Sequence, residues 1–318
     1  MFKKTVITAV ALSVVLTAAS QNAVAQSHIK RAAYPLGKGP VVVLDVGHNN
    51  FDDLEFRVIF AETLVRDGYI VRQLSSCFNE ASLASVDIVI SKNPLPTYNP
   101  DDQNALSRLP FPTPSALARD EIEFLYDWVS SGGALLLQIE HMPLAGAAEE
   151  LTSRFNFEIS NGFALDERSL HGYDDETIQA AGRVSFRRSN GSLADHPITK
   201  GRTFAERVDS IETSVGAAFR LPPDGESLLT LGPSFVSLLP EVWWEFDETT
   251  ARRAIGGWSQ AGVARVGLGR IAVLGDSWLL RSALEEEDPE MGPAYEESQN
   301  TQFTLNVVYW LSGLLDSR

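Results

Sequence analysis

Cysteine, basic charge and long apolar runs are what this chain has least of, and each shortage closes off a class of function. Cys77 is the only cysteine in 318 residues, so no internal disulfide can form and the fold must be held by packing. It lies in Gln73-Leu-Ser-Ser-Cys-Phe78 at a predicted strand end, with neither a histidine nor a helix start beside it, and the expectation is a buried, inert thiol. Lys and Arg number 26 against 42 Asp and Glu, giving a formal charge of −16. With no basic cluster to offset it, such a surface repels phosphate backbones and argues against a nucleic-acid partner. Apolar runs are short except for Val6 to Ala19, which follows Lys3 and Lys4 and precedes Ala23-Val24-Ala25. About 14 residues fall short of the ~20 that span a bilayer, so residues 1–25 read as a signal peptide. The expected product is exported to the periplasm or beyond, has no transmembrane anchor, and begins near Gln26.

What is present is a regular alternation of apolar strands and amphipathic segments. Val41–Val46 is a continuous β-branched run, as in a strand covered on both faces. A helix is predicted over Phe51–Asp67, with Leu54, Val58, Ala61 and Leu64/Val65 inward and Gly68 as its stop. Strands follow at Tyr69–Leu74, Val86–Ser91 and Ala134–Ile139. A helix from about Ser115 turns Ile122, Leu125, Tyr126 and Val129 inward, and another spans Ala145–Phe155. Between the third strand and the Ser115 helix, the Pro/Asn/Asp-rich stretch Asn93–Pro114 is long for a compact domain and is a candidate lid. Residues 26–39 read as an exposed leader remnant, and 40–316 as one domain with insertions at about 161–205 and 233–260. The chain closes with a hairpin, Gly262–Val266 and Arg270–Leu274 around Gly267-Leu-Gly269, then an acidic loop, Glu285–Glu290, and a helix Thr301–Leu315. The fold class is therefore α/β: a parallel sheet flanked by helices, with a β-rich insertion and a C-terminal hairpin plus helix.

Ligands of open parallel sheets bind outside the carboxyl ends of the strands, and here those ends are polar. The first contributes Asp45, His48, Asn49 and Asn50, the third Lys92 and Asn93, the fourth Glu140 and His141, and the late hairpin Asp276 and Ser277. The ligand-binding candidates are Asp45, His48, Asn49, Asn50, Asn93, Glu140, His141 and Asp276. Were the protein an enzyme, His48, His141 and Glu140 would be the catalytic candidates, and His48, His141 and Asp276 could hold a divalent metal. The bland alternative is that Asp45 and His48 cap the following helix and fix its loop. His196 in Ala194-Asp-His-Pro197 reads as a turn, His171 as solvated, His28 as part of the leader remnant, and Trp243-Trp244 as a core edge or a stacking platform.

The stretches VVVLDVGHNNFDDLEF, GGALLLQIEHMPLAG, DHPITKGR and GLGRIAVLGDSWLL resemble a family of exported bacterial proteins with a class I glutamine amidotransferase-like (ThuA-like) domain. The resemblance spans about Gly39 to Leu315. It is most specific at His-Asn-Asn after the first strand, at acid-His-x-Pro after the fourth, and at the closing Gly-x-Gly-Arg. It implies a flavodoxin-like sheet and little about activity. An amidotransferase carries its cysteine on a Gly-x-Cys-x-Gly elbow, whereas the corresponding turn here, Gln138 to Gly146, holds no nucleophile. Glutamine hydrolysis through a thioester is thereby set aside. The expected function is the binding of a small polar ligand, a saccharide or envelope fragment, at the strand ends. The alternatives are a hydrolase, metal-assisted or His/carboxylate-based, and an envelope module that docks a protein partner through the tryptophan insertion and the acidic loop.

Overall fold

The computed structural model describes residues 31–51, 54–281 and 298–316; residues 1–25, read above as a signal peptide, His28 and the Glu285–Glu290 stretch lie outside these. Five parallel strands form its centre: β1 (Val41–Asp45), β2 (Ile70–Leu74), β3 (Ile88–Lys92), β4 (Ala134–Gln138) and β14 (Gly269–Leu274). Their order is β2-β1-β3-β4-β14, the flavodoxin order, with the chain reversing direction across the sheet between β1 and β3. The sheet then continues antiparallel through β13 (Ser259–Val266), β9 (Ala218–Arg220) and β5 (Glu158–Ser160), and β10 (Glu226–Thr230) also pairs with β13. Gly267 and Leu268 make the two-residue β13–β14 turn, in which Val266 faces Gly269 and Gly267 adopts φ +57°.

Alternation along the parallel strands sorts their side chains onto two faces. Val42 and Leu44, Ile88 and Ile90, and Leu136 pack on one side with Phe60 and Leu64 of α1 (Leu54–Arg66) and with α8 (Asn300–Leu311). Val43, Val89, Leu135 and Leu137 pack on the other with Ile122, Leu125 and Val129 of α2 (Arg119–Ser130) and Leu151 of α4 (Glu149–Arg154). Both faces are dry over β1, β3 and β4, which is why these strands read as apolar runs, whereas the edge strand β2 carries the exposed Arg72 and Gln73. At roughly 2 kcal/mol for each large side chain removed from water, these two layers dominate the stability.

Several expected elements shift. The helix after β1 starts at Leu54 and its inward row is Phe60 and Leu64, while Val58 and Val65 are 44% and 40% exposed. The predicted Ala145–Phe155 helix is two short ones, α3 (Leu144–Ala147) and α4. The last helix, read as amphipathic, is buried nearly all round, including Asn300, Thr304 and Asn306. Its polar side is roofed by the insertion. Asn306 donates to the carbonyls of Ile198 and Glu206 at 2.7 and 2.9 Å, and Asn300 to that of Glu212 at 2.7 Å. Ile198 sits on α6 (Pro197–Lys200), which His196 caps by accepting from the Ile198 amide, so this histidine is structural as read. Residues 31–39 are mostly exposed but tied down: the Ala33 amide donates to Asp67 Oδ1 at 2.7 Å and the Tyr34 amide to the Asp67 carbonyl at 3.1 Å. The 233–260 insertion supplies β11 (Phe235–Leu239) and β12 (Ala251–Ala254), which form a small sheet with β6 (Phe163–Asp166). Among the described residues no helix is long and apolar enough to cross a membrane.

Candidate functional site

Asp45 ends β1 on the α2 side of the sheet, and the turn after it is tight: a Cβ on Gly47 would lie 2.9 Å from the Ser75 carbonyl carbon. Asn49 then takes φ +47°, a left-handed conformation that asparagine tolerates better than most residues. This turn swings His48 back against the sheet. His48 Nδ1 lies 2.8 Å from Asp45 Oδ1, and Nε2 lies 2.8 Å from Glu121 Oε1 in the first turn of α2. A carboxylate only accepts, so a ring that satisfies one on each nitrogen does so as the doubly protonated imidazolium. Burial alone would favour the neutral ring, but Asp45 and then Glu121 outweigh it and hold the His48 pKa above its usual value. Further donors reach both carboxylates from within. Gly47 N and Ser91 Oγ donate to Asp45 at 3.0 and 2.6 Å, Asn50 Nδ2 at 3.2 Å, and Phe78 N donates to Glu121 at 2.6 Å. The Phe78 ring covers the imidazole at 4.7 Å between centroids.

Glu121 escaped the sequence reading. The signal was present, since it falls four residues before Leu125 in the buried row Glu121, Ile122, Leu125, Val129, and an acid in an apolar helical row demands a buried partner.

His141 has different surroundings. Nδ1 lies 2.9 Å from the Met142 carbonyl, which can only accept, so the ring in its neutral form carries its proton there and presents a lone pair at Nε2. Among the described residues nothing pairs with that nitrogen. The ring stacks on Phe163 at 4.5 Å and 15°, and meets Trp244 at 5.3 Å. Glu140, half-buried, accepts from Ser277 Oγ at 2.8 Å and from Asn93 Nδ2 at 3.5 Å. Asn93, also left-handed at φ +44°, donates to the Phe51 carbonyl as well. The exposed Asn49 donates to the carbonyls of Leu95 and Pro96 at 3.3 and 3.2 Å, and the Leu95 amide donates back to that of His48 at 2.9 Å. The base of the Asn93–Pro114 loop is thus stitched to the His48 turn. Leu95 and Leu106 of this loop are buried with Leu144 and Ala147, and Trp243 packs against both this patch and the Phe163 cluster.

The predicted residues therefore divide. Asp45, His48 and Asn50 join a saturated internal cluster with Ser91 and Glu121. Asn93 and Glu140 form a second group with Ser277, and His141 stands in an aromatic setting of its own. Asp276 is fully buried and both its oxygens accept main-chain amides, from Ser214 and Trp278. His48 and His141 share no contact, and among the described residues no three His, Cys, Asp or Glu side chains are grouped to hold a metal ion. Cys77 is exposed, contrary to expectation: the chain leaves β2 outward there, and it is Phe78 that turns in.

The chain is flavodoxin-like. No protein-family model matches it, and no curated protein does. Among solved structures it is similar to the mmIFT52 N-terminal domain, with a TM-score of 0.53 and 12% identity over 86% of this chain and 97% of that one. It is also similar to ThuA-like proteins from Bacteroides uniformis (TM-score 0.45, 13% identity, 88% of this chain and 95% of that one) and Parabacteroides merdae (0.43, 12%, 86% and 90%). At these identities the likeness concerns the fold.

Proposed function

We propose that this is an exported binding protein that holds a small polar, hydroxyl-rich ligand such as a saccharide over the ends of β3 and β4. The observation that carries the reading is the His141 ring, which stacks on Phe163, meets Trp244 at a tilt, and has no partner for Nε2 among the described residues. Acceptors set among aromatic rings complement a molecule offering O–H donors and apolar C–H faces. Glu140 adds a further acceptor, and the turn that carries it has no thiol or hydroxyl nucleophile, which favours binding over acyl transfer. The Asn93–Pro114 loop is the natural cover, with Asn49 anchoring its base. A second reading, hydrolysis, draws on the same lone pair as a general base.

Titration of tryptophan fluorescence with a panel of mono- and oligosaccharides tests the proposal. A saturable change is expected, weakened about tenfold by His141→Ala, the value of one hydrogen bond, with the melting temperature unchanged. Silence across the panel, or a variant that binds as tightly as the native protein, would refute it. Release of reducing ends from the bound sugar would instead favour the second reading. Export is checked by mass spectrometry of the extracytoplasmic fraction, which should give a chain starting near Gln26; a full-length chain confined to the cytoplasm would contradict it.

A further inference from the structure

The cluster around His48 is buried, and it joins four separate pieces of chain: the end of β1, the first turn of α2, the segment at Phe78, and, through the His48 and Asn49 main-chain and side-chain bonds, the base of the Asn93–Pro114 loop. The two bonds that tie the end of β1 to α2 run through the ring and depend on its protons. With both nitrogens protonated, the ring donates to both carboxylates. Removing either proton leaves a bare nitrogen lone pair 2.8 Å from a carboxylate oxygen, and no rotation of the ring repairs this, because the second nitrogen is held by the second carboxylate.

We propose that His48 is a proton-operated latch: its protonated ring clamps α2 and the Phe78 segment to the end of β1, and loss of the proton loosens the clamp and with it the base of the 93–114 loop. The surrounding charges support this assignment. On β1 the facing charge is Asp45, and on α2 it is Glu121, with Arg119 and Asp120 turned to solvent. On the segment after β2, Glu80 is exposed and the groups facing the ring are Phe78 and its amide. On β3 the facing group is Ser91, while Lys92 continues the row of Ile88 and Ile90 that faces α1 and α8. Thus two anions and no second cation face the ring from these elements, and the proton on His48 is what balances them. The latch belongs to the scaffold and does not depend on the identity of the ligand.

The test is made on the full mature chain. The ring nitrogens of His48 are followed by long-range ¹H–¹⁵N NMR from about pH 5.5 to 8.5. Amide hydrogen exchange at residues 93–97 is measured over the same range and corrected for the intrinsic rate. The imidazolium signature is expected to persist beyond the pH at which a free histidine has titrated. Corrected exchange of the loop base should then rise about tenfold, the weight of one charge-assisted hydrogen bond, at the pH where the ring does titrate. Glu121→Gln removes one of the two anions facing the ring, so the ring titration and the rise in exchange should move together to lower pH. A ring already neutral at the acid end, or exchange that ignores its titration, overturns the proposal. Should the variant fail to fold, the titration of the native chain decides alone.

Discussion

Glu121 changes what His48 means. From the sequence, an imidazole after a strand reads as a candidate base or metal ligand; with a carboxylate on each nitrogen it has no free lone pair for either task. The consequence for stability has a definite sign. A histidine whose folded pKa is raised stabilises fully below its unfolded value, and that contribution is lost as pH rises through the folded value. Asp67 adds a second loss of the same sign at lower pH. It is fully buried, Oδ2 has no partner, and burial pushes its pKa up to about 6 from 3.8. The folded state therefore holds this proton more tightly than the unfolded one, and stability should fall between these two values by up to about 3 kcal/mol. Asp67→Asn should flatten that part of a stability-versus-pH curve from urea titrations and melt no lower than the native protein at neutral pH. Cys77 offers a simpler check: exposed in the fold, it should react fully with a maleimide without denaturant, where a buried thiol would wait for unfolding. Its exposure was hidden in the sequence because the two residues Cys77 and Phe78 are adjacent and apolar, and only the path of the loop decides which turns inward.

Strands were legible because hydrophobic runs of the right length sit between turn residues, and in β1, β3 and β4 both faces are covered. Their boundaries moved by one or two residues at most in the parallel half. Helices were less legible wherever an insertion altered what they face. Val58 and Val65 kept the helical spacing but lie on the outer side of α1, and α8 looked half-polar because the segment that buries Asn300 and Asn306 comes from a different part of the chain. Of the site, the polar residues at the strand carboxyl ends were visible in advance, while their division into an ionic cluster and an aromatic one required Glu121 and Phe163, which lie far from His48 and His141 in sequence. The central strand sets an expectation of its own. Leu137 is fully buried between β4 and α2, and Leu137→Ala should cost about 2–5 kcal/mol in chemical denaturation. In the closing hairpin, Gly267 combines φ +57° with only 2.4 Å from its would-be Cβ to the Ser130 carbonyl oxygen, so Gly267→Ala should lower the melting temperature measurably through strain in the turn.

Taken together, the parts describe a two-sided arrangement. A parallel half supplies the polar rim, and an antiparallel half with two inserted layers roofs α8 and brings Phe163 and Trp244 to His141. The acidic balance of the chain, its lack of cross-links and its short core strands fit a domain that relies on packing and on a few buried ion clusters. The order in which the chain delivers these pieces has one further implication. β4 finds its second neighbour, β14, only after residues 139–268 have been made, so until then the middle of the sheet ends in a row of unpaired main-chain N–H and C=O groups. A nascent chain in that condition has no complete sheet to commit to, and its closing step waits for the last hairpin.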